Sequence, residues 1–482
     1  MFITNRIGRC KKRLSFRGLV LISGSLCTLL LSATLTMAQD PAEPPNGAPK
    51  VEAIPRPSGA IPRSAIDEKL MRTIIDEQVA CGTRDSFSSW SDPKRGIGCG
   101  RDRVLAQFQK IANDSGGRLQ IVVDKFDTQL PRTTEEVHLE NIYAILPGSD
   151  PALAKTVFIT SGDFDSRPSQ TNDPNADAPG ADDDASGTAV AIECARLLSK
   201  GTYRATLIFA ALSGEEEGLL GAEGLFRYLK ANGYTVGGYL DNDIVGADPA
   251  PGGPHRARVF SGGGADGEDS PSRELARATE EIDGHDNIRM IFRLDRLGRG
   301  GDHMPFVRAG LPAVRFTEPQ ENYDHQHQTP RTENGRVYGD LSQYLDYTFM
   351  GNVARDNAQV LRELALAPAP PENITVWHVP QTAMGYAQIK WQAAAAAEND
   401  SERAGFEILW RETTNPRWSV CEFVPPGAPM DVTLDGVSPD NHFFAVRSVG
   451  KNGARSLAVP AVLPARRPPT ARPQNPAAGT ID

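Results

Sequence analysis

The sequence predicts an α/β protein with a mostly parallel, twisted sheet covered by helices on both faces, plus a C-terminal all-β sandwich. Between residues 65 and 366, apolar runs alternate with amphipathic segments at helical spacing, as strands and helices taken in turn would. Runs such as "ATLIFAALSG" are almost continuously apolar, which is typical of strands buried on both faces. Beyond residue 373, short Val-, Ile-, Trp- and Phe-rich segments follow one another without helical patterns between them, which indicates the sandwich.

The elements of the α/β part can be assigned in chain order. Two amphipathic segments, "IDEKLMRTIIDEQVA" and "RDRVLAQFQKIANDSGG", predict helices, and glycines end the second. The strands "LQIVVDKFD", "NIYAILPG" and "KTVFITSG" follow, then a helix over 186–199. The strand "ATLIFAALSG" leads to the helix "GLLGAEGLFRYLKANG", and "YLDYTFMGNVARDNAQVLRELALA" closes the domain near residue 366.

The whole chain divides by composition into six predicted segments. They are a signal peptide (1–38), a Pro-rich leader (39–64), the α/β domain (65–366), a linker (367–373), the sandwich (374–465) and a disordered Pro/Ala-rich tail (466–482). The predicted sandwich strands include "ITVWHV", "YAQIKWQA", "GFEILWRET" and "FFAVRSVG". We expect its core to be filled by the tryptophans at positions 377, 391, 410 and 418.

The N-terminus predicts export. Residues 1–18 carry six Lys or Arg and no acid, and residues 19–38 carry no charge and end in small residues. This pattern is typical of a secretory signal peptide cut near Ala38, for a periplasmic or secreted protein. The alternative is an uncleaved membrane anchor, because the apolar run is long. Removing six positive charges changes the net charge from −10 to −16, which argues against nucleic-acid binding.

Cysteine usage fits an exported protein. Of the cysteines beyond the signal peptide, Cys81 and Cys99 lie eighteen positions apart in a segment rich in Ser, Asp and Gly, and we predict a disulfide between them. Cys194 lies in a helical pattern and is expected to be a buried thiol.

Acidic residues cluster after apolar runs, where open α/β sheets bind ligands. The clusters are "SGDFDSR" (161–167), "PGADDDASG" (179–187), "SGEEEGLLG" (213–221) and "YLDNDIVGAD" (239–248), and a His-rich loop, "YDHQHQTP" (323–330), comes later. Each cluster alone has an ordinary explanation as a helix start or a solvated turn. Together they would repel one another unless cations neutralised them. Carboxylates with imidazole are ligands of divalent metal ions, so the sequence predicts a metal centre.

These motifs resemble, in their order, those of the dinuclear zinc exopeptidases that include bacterial secreted leucyl aminopeptidases. The resemblance covers about residues 70–365 and rests on "DFD", "PGADDDASG", "GEEEGL", "DNDIVG", "GDHMPF" and "HQHQT". The C-terminal module is similar to a fibronectin type III domain. At Asp163 the chain departs from the family, which has a histidine there.

The resemblance implies a role for each matching residue. Asp183 would bridge two metal ions, and Glu215 would be the general base. The implied metal ligands are Asp163, Asp183, Glu216, Asp243 and His327, with Glu216 and His327 on one ion and Asp163 and Asp243 on the other. His325 is the alternative to His327. Asp165 is expected to lie behind the ligands, and Asp302 and His303 to shape the pocket wall.

The predicted function is therefore an exported metallo-aminopeptidase acting on peptide or protein N-termini. It would use two divalent ions, zinc by resemblance, with manganese or cobalt tolerated where Asp163 replaces an imidazole, because carboxylates suit harder ions. The sandwich would bind a surface, a polymer or a larger substrate. The alternatives are a single-zinc, glutaminyl-cyclase-like enzyme and a non-catalytic binding protein with a degenerate site. Occupancy of all five ligand positions favours the aminopeptidase.

Overall fold

A computed structural model describes the chain from residue 55 to residue 464. Short gaps fall at 58, 132–133, 172, 248–254, 263–268, 285–286, 379–385 and 436. The predicted signal peptide (1–38), the leader as far as residue 54 and the predicted tail (466–482) lie outside the described residues. Among the helices that are described, none combines the length and the apolar character that crossing a membrane requires.

The α/β domain is built from helices and one large sheet. Its helices are α1 (Glu68–Val79), α2 (Ile97–Asp114), α3 (Ala185–Leu198), α4 (Leu220–Ala231), α5 (Pro271–Asp283), α6 (Met304–Arg308) and α7 (Tyr347–Leu366). The sheet contains β1 (Gln120–Gln129), β2 (Glu136–Leu146), β3 (Thr156–Asp163), β4 (Thr206–Leu212), β5 (Thr235–Asn242), β6 (Ala257–Phe260), β7 (Ile288–Ile291) and β8 (Ala313–Thr317). A separate hairpin consists of β9 (Arg331–Glu333) and β10 (Arg336–Tyr338).

The strand order of the large sheet is β1-β2-β4-β3-β5-β8-β6-β7. The central strands β4, β3, β5 and β8 run parallel. Strands β1 and β2 join them antiparallel on one side, and β6 pairs antiparallel with β8 on the other. The predicted α/β class is confirmed, with a sheet that is parallel at its centre and mixed at its flanks. The carboxyl ends of β3, β4, β5 and β8 consequently meet at one edge.

Alternate residues of β4 enter two different cores, as the twofold period of a strand requires. Leu207 and Phe209 belong to the larger core, which α1, α2, α3, α5 and α7 cover. Ile208 and Ala210 belong to the core on the opposite face, which α4 and α6 cover. All four side chains are fully buried, which explains why this strand is continuously apolar.

The predicted disulfide is confirmed. Cys81, which follows α1, is bonded to Cys99 near the start of α2, with the two Cα atoms 5.8 Å apart. The bond therefore ties together two consecutive helices that cover the same face of the sheet. Cys194 is a buried free thiol as expected, and Cys421 of the sandwich is another.

The C-terminal part is a two-sheet antiparallel sandwich. Its strands are β11 (Glu372–His378), β12 (Tyr386–Gln392), β13 (Arg403–Glu412), β14 (Ser419–Val424), β15 (Asp431–Asp435), β16 (His442–Gly450) and β17 (Val459–Pro460). The sheet orders are β11-β12-β15 and β14-β13-β16-β17.

Only two of the four tryptophans fill the sandwich core. Trp391 and Trp410 are buried in it, as predicted. The prediction is wrong for Trp377, which is 49% exposed because it falls on the outward face of β11. It is also wrong for Trp418, whose indole N–H donates to Glu274 Oε2 on helix α5, at 2.7 Å. This side chain therefore packs against the α/β domain.

Charged contacts join the sandwich to helix α5. Arg417 pairs with Glu280 at 2.9 Å. Arg447 on β16 pairs with Glu281 of α5 and with Glu407 of β13, both at 2.7 Å. Arg447 and its sandwich partner Glu407 are almost fully buried, whereas the Glu281 side chain, which forms the contact across the boundary, is 39% exposed. The sandwich is thus part of one compact unit with the α/β domain.

Replacing Arg447 by methionine should lower the free energy of unfolding by about 1.5–3 kcal/mol, because it removes one of the two arginines that pair with the buried Glu407 carboxylate, Arg455 being the other. Lys390→Met is the control, since Lys390 and Asp431 form an exposed pair on the same domain that should contribute no more than about 1 kcal/mol. Chemical denaturation of both variants measures the difference. Equal stabilities would show that buried Arg447 contributes no more to stability than the exposed pair does.

Candidate metal centre

The predicted acidic clusters meet at the carboxyl edge of the parallel strands. Asp163 is the last residue of β3, and Asp243 directly follows β5. Glu215 and Glu216 lie in the turn between β4 and α4. Asp183 lies in the loop that leads into α3. Because parallel strands all end at the same edge, residues far apart in sequence come together there.

Three of the predicted ligands converge on one point. His327 Nε2 lies 2.9 Å from Asp183 Oδ2 and 2.8 Å from Glu216 Oε1. The potential ligand atoms of these three side chains all lie within 4.8 Å of one another. Two carboxylates and an imidazole in this arrangement fit a divalent ion such as zinc.

The protonation of His327 shows how strongly this point attracts a cation. Burial alone would lower the pKa of the His327 imidazole, but the carboxylates of Glu216 and Asp183 outweigh burial and raise that pKa to about 10. Conversely, His327 holds the pKa of Asp183 below its ordinary range, although burial acts in the opposite direction. A divalent ion bound at this point would therefore compete with a proton for His327.

The His-rich loop presents its two candidate histidines differently. The His325 ring stacks on the Tyr344 ring, with centroids 3.8 Å apart, and does not join the ligand group. Gln326 donates a hydrogen bond from Nε2 to Asp183 Oδ2 at 3.0 Å. His327 has a backbone φ of 56°, in the left-handed region that non-glycine residues rarely adopt. The geometry therefore favours His327 over His325 as the ligand.

A buried arginine positions the loop that carries Asp183. The fully buried Arg84 guanidinium donates to the carbonyl oxygens of Phe164 at 2.7 Å, Pro179 at 2.5 Å and Gly180 at 2.8 Å. These bonds fasten the chain after β3 to the Pro-Gly turn before α3. Asp183 is thereby fixed relative to the end of β3.

Two further carboxylates also position this loop, because they accept hydrogen bonds from backbone N–H groups. Asp340 Oδ2 accepts from Asp183 N at 2.8 Å. Asp184 caps helix α3 by accepting from Gly187 N at 2.9 Å, and its other oxygen accepts from Asp163 N at 3.1 Å. Asp184 therefore links β3 to α3, and neither Asp184 nor Asp340 is placed as a metal ligand.

Asp165 fixes the turn that carries the two glutamates. Its Oδ1 accepts from Gly214 N at 2.7 Å, and its Oδ2 accepts from Glu216 N at 3.3 Å and from the Ser86 hydroxyl at 3.3 Å. The turn after β4 is thereby held against the end of β3. The structure places Asp165 behind the ligands, where the sequence predicts it.

Asp163 and Asp243 do not belong to the group of three. Both are almost fully buried, and Asp243 Oδ2 lies 2.7 Å from Nη1 of Arg315, a fully buried side chain of β8. Burial raises the pKa of Asp243 to about 8 even though the Arg315 guanidinium opposes this shift. The second predicted ion would therefore share one of its ligands with a fixed guanidinium.

The surroundings of Glu215 are rich in negative charge. Burial raises the pKa of Glu215 well above its ordinary value, and the nearby carboxylates of Asp243 and Glu216 raise it further. Asp302 is 1% exposed, and neither of its carboxylate oxygens has a hydrogen-bond partner. Buried carboxylate oxygens without a hydrogen-bond donor destabilise the folded protein. A further cation bound in this part of the centre would remove that destabilisation.

His303 is not available as a ligand. Its Nδ1 lies 3.2 Å from Asp241 Oδ2, and its Nε2 lies 2.9 Å from the carbonyl oxygen of Leu294. The imidazole is fully buried and both ring nitrogens are engaged. The expectation that Asp302 and His303 shape the pocket wall stays a prediction.

Sequence reasoning missed several supporting residues, above all Arg84, Arg315, Gln326 and Asp340. Arg315 left a signal, because it is the single charged residue in the apolar segment "LPAVRFT", and a buried charge needs a partner. Arg84 and Asp340 lie in polar loops, where nothing local distinguishes a buried side chain from a solvated one.

The chain is similar in sequence to known peptidases. A model of peptidase family M28 matches residues 141–358. A "probable zinc metalloprotease" of Leptosphaeria maculans is 40% identical over 413 residues, which cover 81% of this chain and 93% of that protein. Another from Pyricularia oryzae is 37% identical over 426 residues, covering 83% and 82%.

Solved structures with a similar chain path include two kinds of protein. An aminopeptidase from Aneurinibacillus sp. strain AM-1 has 14% identity and a TM-score of 0.47, covering 62% of this chain and 94% of that one. A glutaminyl cyclase from Fimbriiglobus ruber has 19% identity and a TM-score of 0.48, covering 64% and 99%.

The identity to the Leptosphaeria protein extends over most of both chains, and the matched segment contains every ligand candidate. The chain belongs to peptidase family M28, a family of zinc metalloproteases, and it is thus a hydrolase of that class.

Replacing His327 by alanine should weaken zinc binding by more than about 100-fold, since even changes behind the ligands of a metal site cost roughly 10–100-fold. His325→Ala is the matched control two residues away, and we expect it to bind zinc as the unchanged protein does. Competition with a chromophoric chelator measures both affinities. The reverse ranking of the two variants would make His325 the ligand.

Proposed function

We propose that this protein is an aminopeptidase that hydrolyses the N-terminal peptide bond of peptides or proteins. The observation that carries the proposal is the convergence of Asp183, Glu216 and His327 beside Glu215 at the carboxyl edge of the sheet. This arrangement places a metal-binding group next to a carboxylate that is not among the converging ligands. Hydrolysis of aminoacyl p-nitroanilides by the zinc-loaded protein, measured against a chelator-treated sample, tests it.

The chemistry divides between the metal and the protein. A divalent ion held by Asp183, Glu216 and His327 would supply Lewis acidity, which polarises a carbonyl group and lowers the pKa of water towards about 7. Glu215 would accept a proton from the attacking water and deliver it to the leaving amine. Asp165 would support this step by fixing the turn through its hydrogen bonds to Gly214 N and Glu216 N. The adjacent residues Glu215 and Glu216 could then act as the base and as a metal ligand, respectively.

We further propose a second, more weakly held ion between Asp163 and Asp243, with Asp183 as the bridge. The surplus of buried carboxylates supports it, in particular the orphaned oxygens of Asp302. Arg315 would compete for Asp243 and make this ion the more readily exchanged of the two. The oxygen-rich ligands would tolerate manganese or cobalt beside zinc.

A single-ion enzyme of the glutaminyl-cyclase type is the second candidate. The contact between Arg315 and Asp243 favours it, because a guanidinium could take the place of the second cation. Cyclisation of an N-terminal glutaminyl peptide, without release of an amino acid from aminoacyl anilides, would identify this activity. A binding protein with a degenerate site is less compatible with a centre that keeps three converging ligands.

Export and substrate range are also proposals. We propose that the protein is periplasmic or secreted, supported by the charge pattern of residues 1–38 and by the disulfide between Cys81 and Cys99. Its substrates would be peptide or protein N-termini and not nucleic acids. The sandwich, whose sheet orders suit the fibronectin type III resemblance, would bind a surface or a polymer.

Glu215→Gln should keep the fold and the bound metal but lower kcat by roughly 10²–10⁴, the usual contribution of a general base. Glu217→Gln is the matched control in the same glutamate triplet, because Glu217 is outside the ligand group. Anilide hydrolysis and metal content are measured on the same samples. Near-normal turnover of Glu215→Gln would remove its assignment as the base.

The proposal of two ions predicts the metal content of Asp163 variants. The unchanged protein should saturate at two ions per chain, Asp163→Ala should approach one, and Asp163→His should keep two and bind zinc more tightly, because imidazole is the better zinc ligand. Elemental analysis after dialysis gives the stoichiometry. Saturation at one ion in both the unchanged protein and Asp163→Ala would exclude Asp163 as a ligand.

A further inference from the structure

Gln326 contacts the Asp183 oxygen that faces the other two converging ligands. Its Nε2 donates to Asp183 Oδ2 at 3.0 Å, and His327 Nε2 lies 2.9 Å from the same oxygen. Gln326 is 6% exposed and Asp183 is 7% exposed, so this hydrogen bond forms where water is largely excluded. A hydrogen bond to an ionised carboxylate is stronger than one between neutral groups. Two adjacent residues of one loop thus contact the oxygen that would bind the ion.

The other end of the Gln326 amide contacts an arginine. Arg299 Nη1 donates to Gln326 Oε1 at 3.3 Å. Arg299 lies between β7 and α6, in a different loop from Gln326. The amide therefore connects a guanidinium group of one loop with the carboxylate of Asp183 in another.

The chemistry of these two partners determines which way the amide points. A guanidinium group has donors only, and an ionised carboxylate has acceptors only. An amide between them satisfies both only with its oxygen towards Arg299 and its nitrogen towards Asp183. The reversed amide would place N–H groups against the guanidinium and an oxygen against the carboxylate. Arg299 thus keeps Gln326 as a donor to Asp183.

Arg299 has further contacts of its own that hold its position. Its guanidinium carbon lies 5.9 Å from the centroid of the Tyr323 ring, where cation–π attraction acts. Its Nη1 lies 4.0 Å from Glu321 Oε2. Glu321 in turn pairs with Arg258 at 2.8 Å and with Arg296 at 2.9 Å. Glu321 is therefore a fixed anion beside Arg299, and neither Glu321 nor Tyr323 is among the converging ligands.

We propose that Gln326 is a positioning residue of the metal centre and that Arg299 holds it in its donating orientation. Gln326 keeps Asp183 Oδ2 directed to the point where Glu216 and His327 converge. A carboxylate that is already oriented loses less conformational freedom when it binds an ion, so its affinity for the ion is higher. The inference concerns the metal centre and is independent of the substrate that the enzyme hydrolyses.

The chain offers a matched arginine–glutamine pair as a control. Arg331 Nη1 donates to Gln328 Oε1 at 3.0 Å, and the Arg331 guanidinium carbon lies 4.1 Å from the centroid of the Tyr338 ring. Gln328 Oε1 also accepts from the Ser169 hydroxyl at 3.3 Å. Gln328 is two residues from Gln326, so changes to this pair alter the same loop at a different contact.

Competition with a chromophoric chelator measures the zinc affinity of each variant. Gln326→Leu should weaken zinc binding by roughly 10- to 100-fold, the usual effect of removing a hydrogen-bond partner of a metal ligand. Gln328→Leu and Arg331→Met should bind zinc as the unchanged protein does. Equal losses in Gln326→Leu and Gln328→Leu would overturn the inference, because the effect would then belong to the loop as a whole.

The direction of the effect at Arg299 is a sharper test. Removing a positive charge near the site would by itself favour a cation, so weaker zinc binding by Arg299→Met has to arise through Gln326. We expect this loss to be smaller than that of Gln326→Leu. Arg299→Lys should recover part of it, because Arg299 donates to Gln326 through a single nitrogen and lysine keeps a cationic donor. Unchanged or tighter zinc binding by Arg299→Met would overturn the role of Arg299.

The double variant Gln326→Leu/Arg299→Met distinguishes a chain of contacts from two separate effects. If Arg299 acts through Gln326, the double variant should bind zinc no more weakly than Gln326→Leu alone. Additive losses would show that Arg299 acts on the site independently, and would refute this part of the inference.

Folding is checked on the metal-free samples by thermal unfolding followed by circular dichroism. If Gln326→Leu does not fold, the arginine variants still decide, since Arg299 and Arg331 are 28% and 37% exposed and their replacement leaves the core intact. A loss in Arg299→Met with recovery in Arg299→Lys then supports the inference, and an equal loss in Arg331→Met contradicts it. Only metal binding is measured, so failure of the proposed peptidase activity would leave the result unaffected.

Discussion

Buried carboxylates crowd the carboxyl edge of the central sheet, and their mutual repulsion is the constraint on which the construction of this region depends. Burial raises carboxyl pKa values, and in a region of low dielectric repulsion between carboxylates raises them further, as it does for Glu215. Two arginines without solvent exposure, Arg84 and Arg315, supply part of the balancing charge. The charge that remains is concentrated at Asp183 and Glu216, which lie 2.9 and 2.8 Å from His327 Nε2, and Glu216 also lies 3.6 Å from Arg167 Nη1.

The acids of this region fall into two groups according to what neutralises them. Asp165, Asp184 and Asp340 accept hydrogen bonds from backbone N–H groups, and so connect the strand ends, the glutamate turn and the loop before α3. Asp183 and Glu216 instead direct oxygens to a shared point. The first group makes the geometry of the second rigid, which is what a metal site of defined affinity requires.

Ion pairs between arginines and carboxylates also join the two domains. Arginines of the sandwich pair with acids of helix α5, and Arg447 is buried between Glu281 and Glu407. Trp418 lies in this boundary and donates to Glu274, which explains why it is absent from the sandwich core. A linker sequence rich in proline therefore does not imply an independent module, because contacts formed elsewhere determine how the domains are held.

The sequence by itself determined the α/β class, the order of most elements and the chain segments that form the site. Period and apolarity are local properties: Asp163 ends β3, Asp243 directly follows β5, and Glu215 lies three residues after the end of β4. The sequence prediction does not include the elements between β5 and β8, which are β6, α5, β7 and α6; β6 and β7 are only four residues long and have polar flanks.

Only the tertiary structure decided which polar residues meet. It brought His327 and not His325 into the ligand group, paired Asp243 with Arg315, and placed Glu318 in a cavity wall. These outcomes depend on contacts between residues far apart in sequence, such as Asp183 and Gln326, which are 143 positions apart. A side chain that is solvated and one that is buried against a distant partner have the same local sequence pattern, because burial and charge pairing are properties of the packed chain.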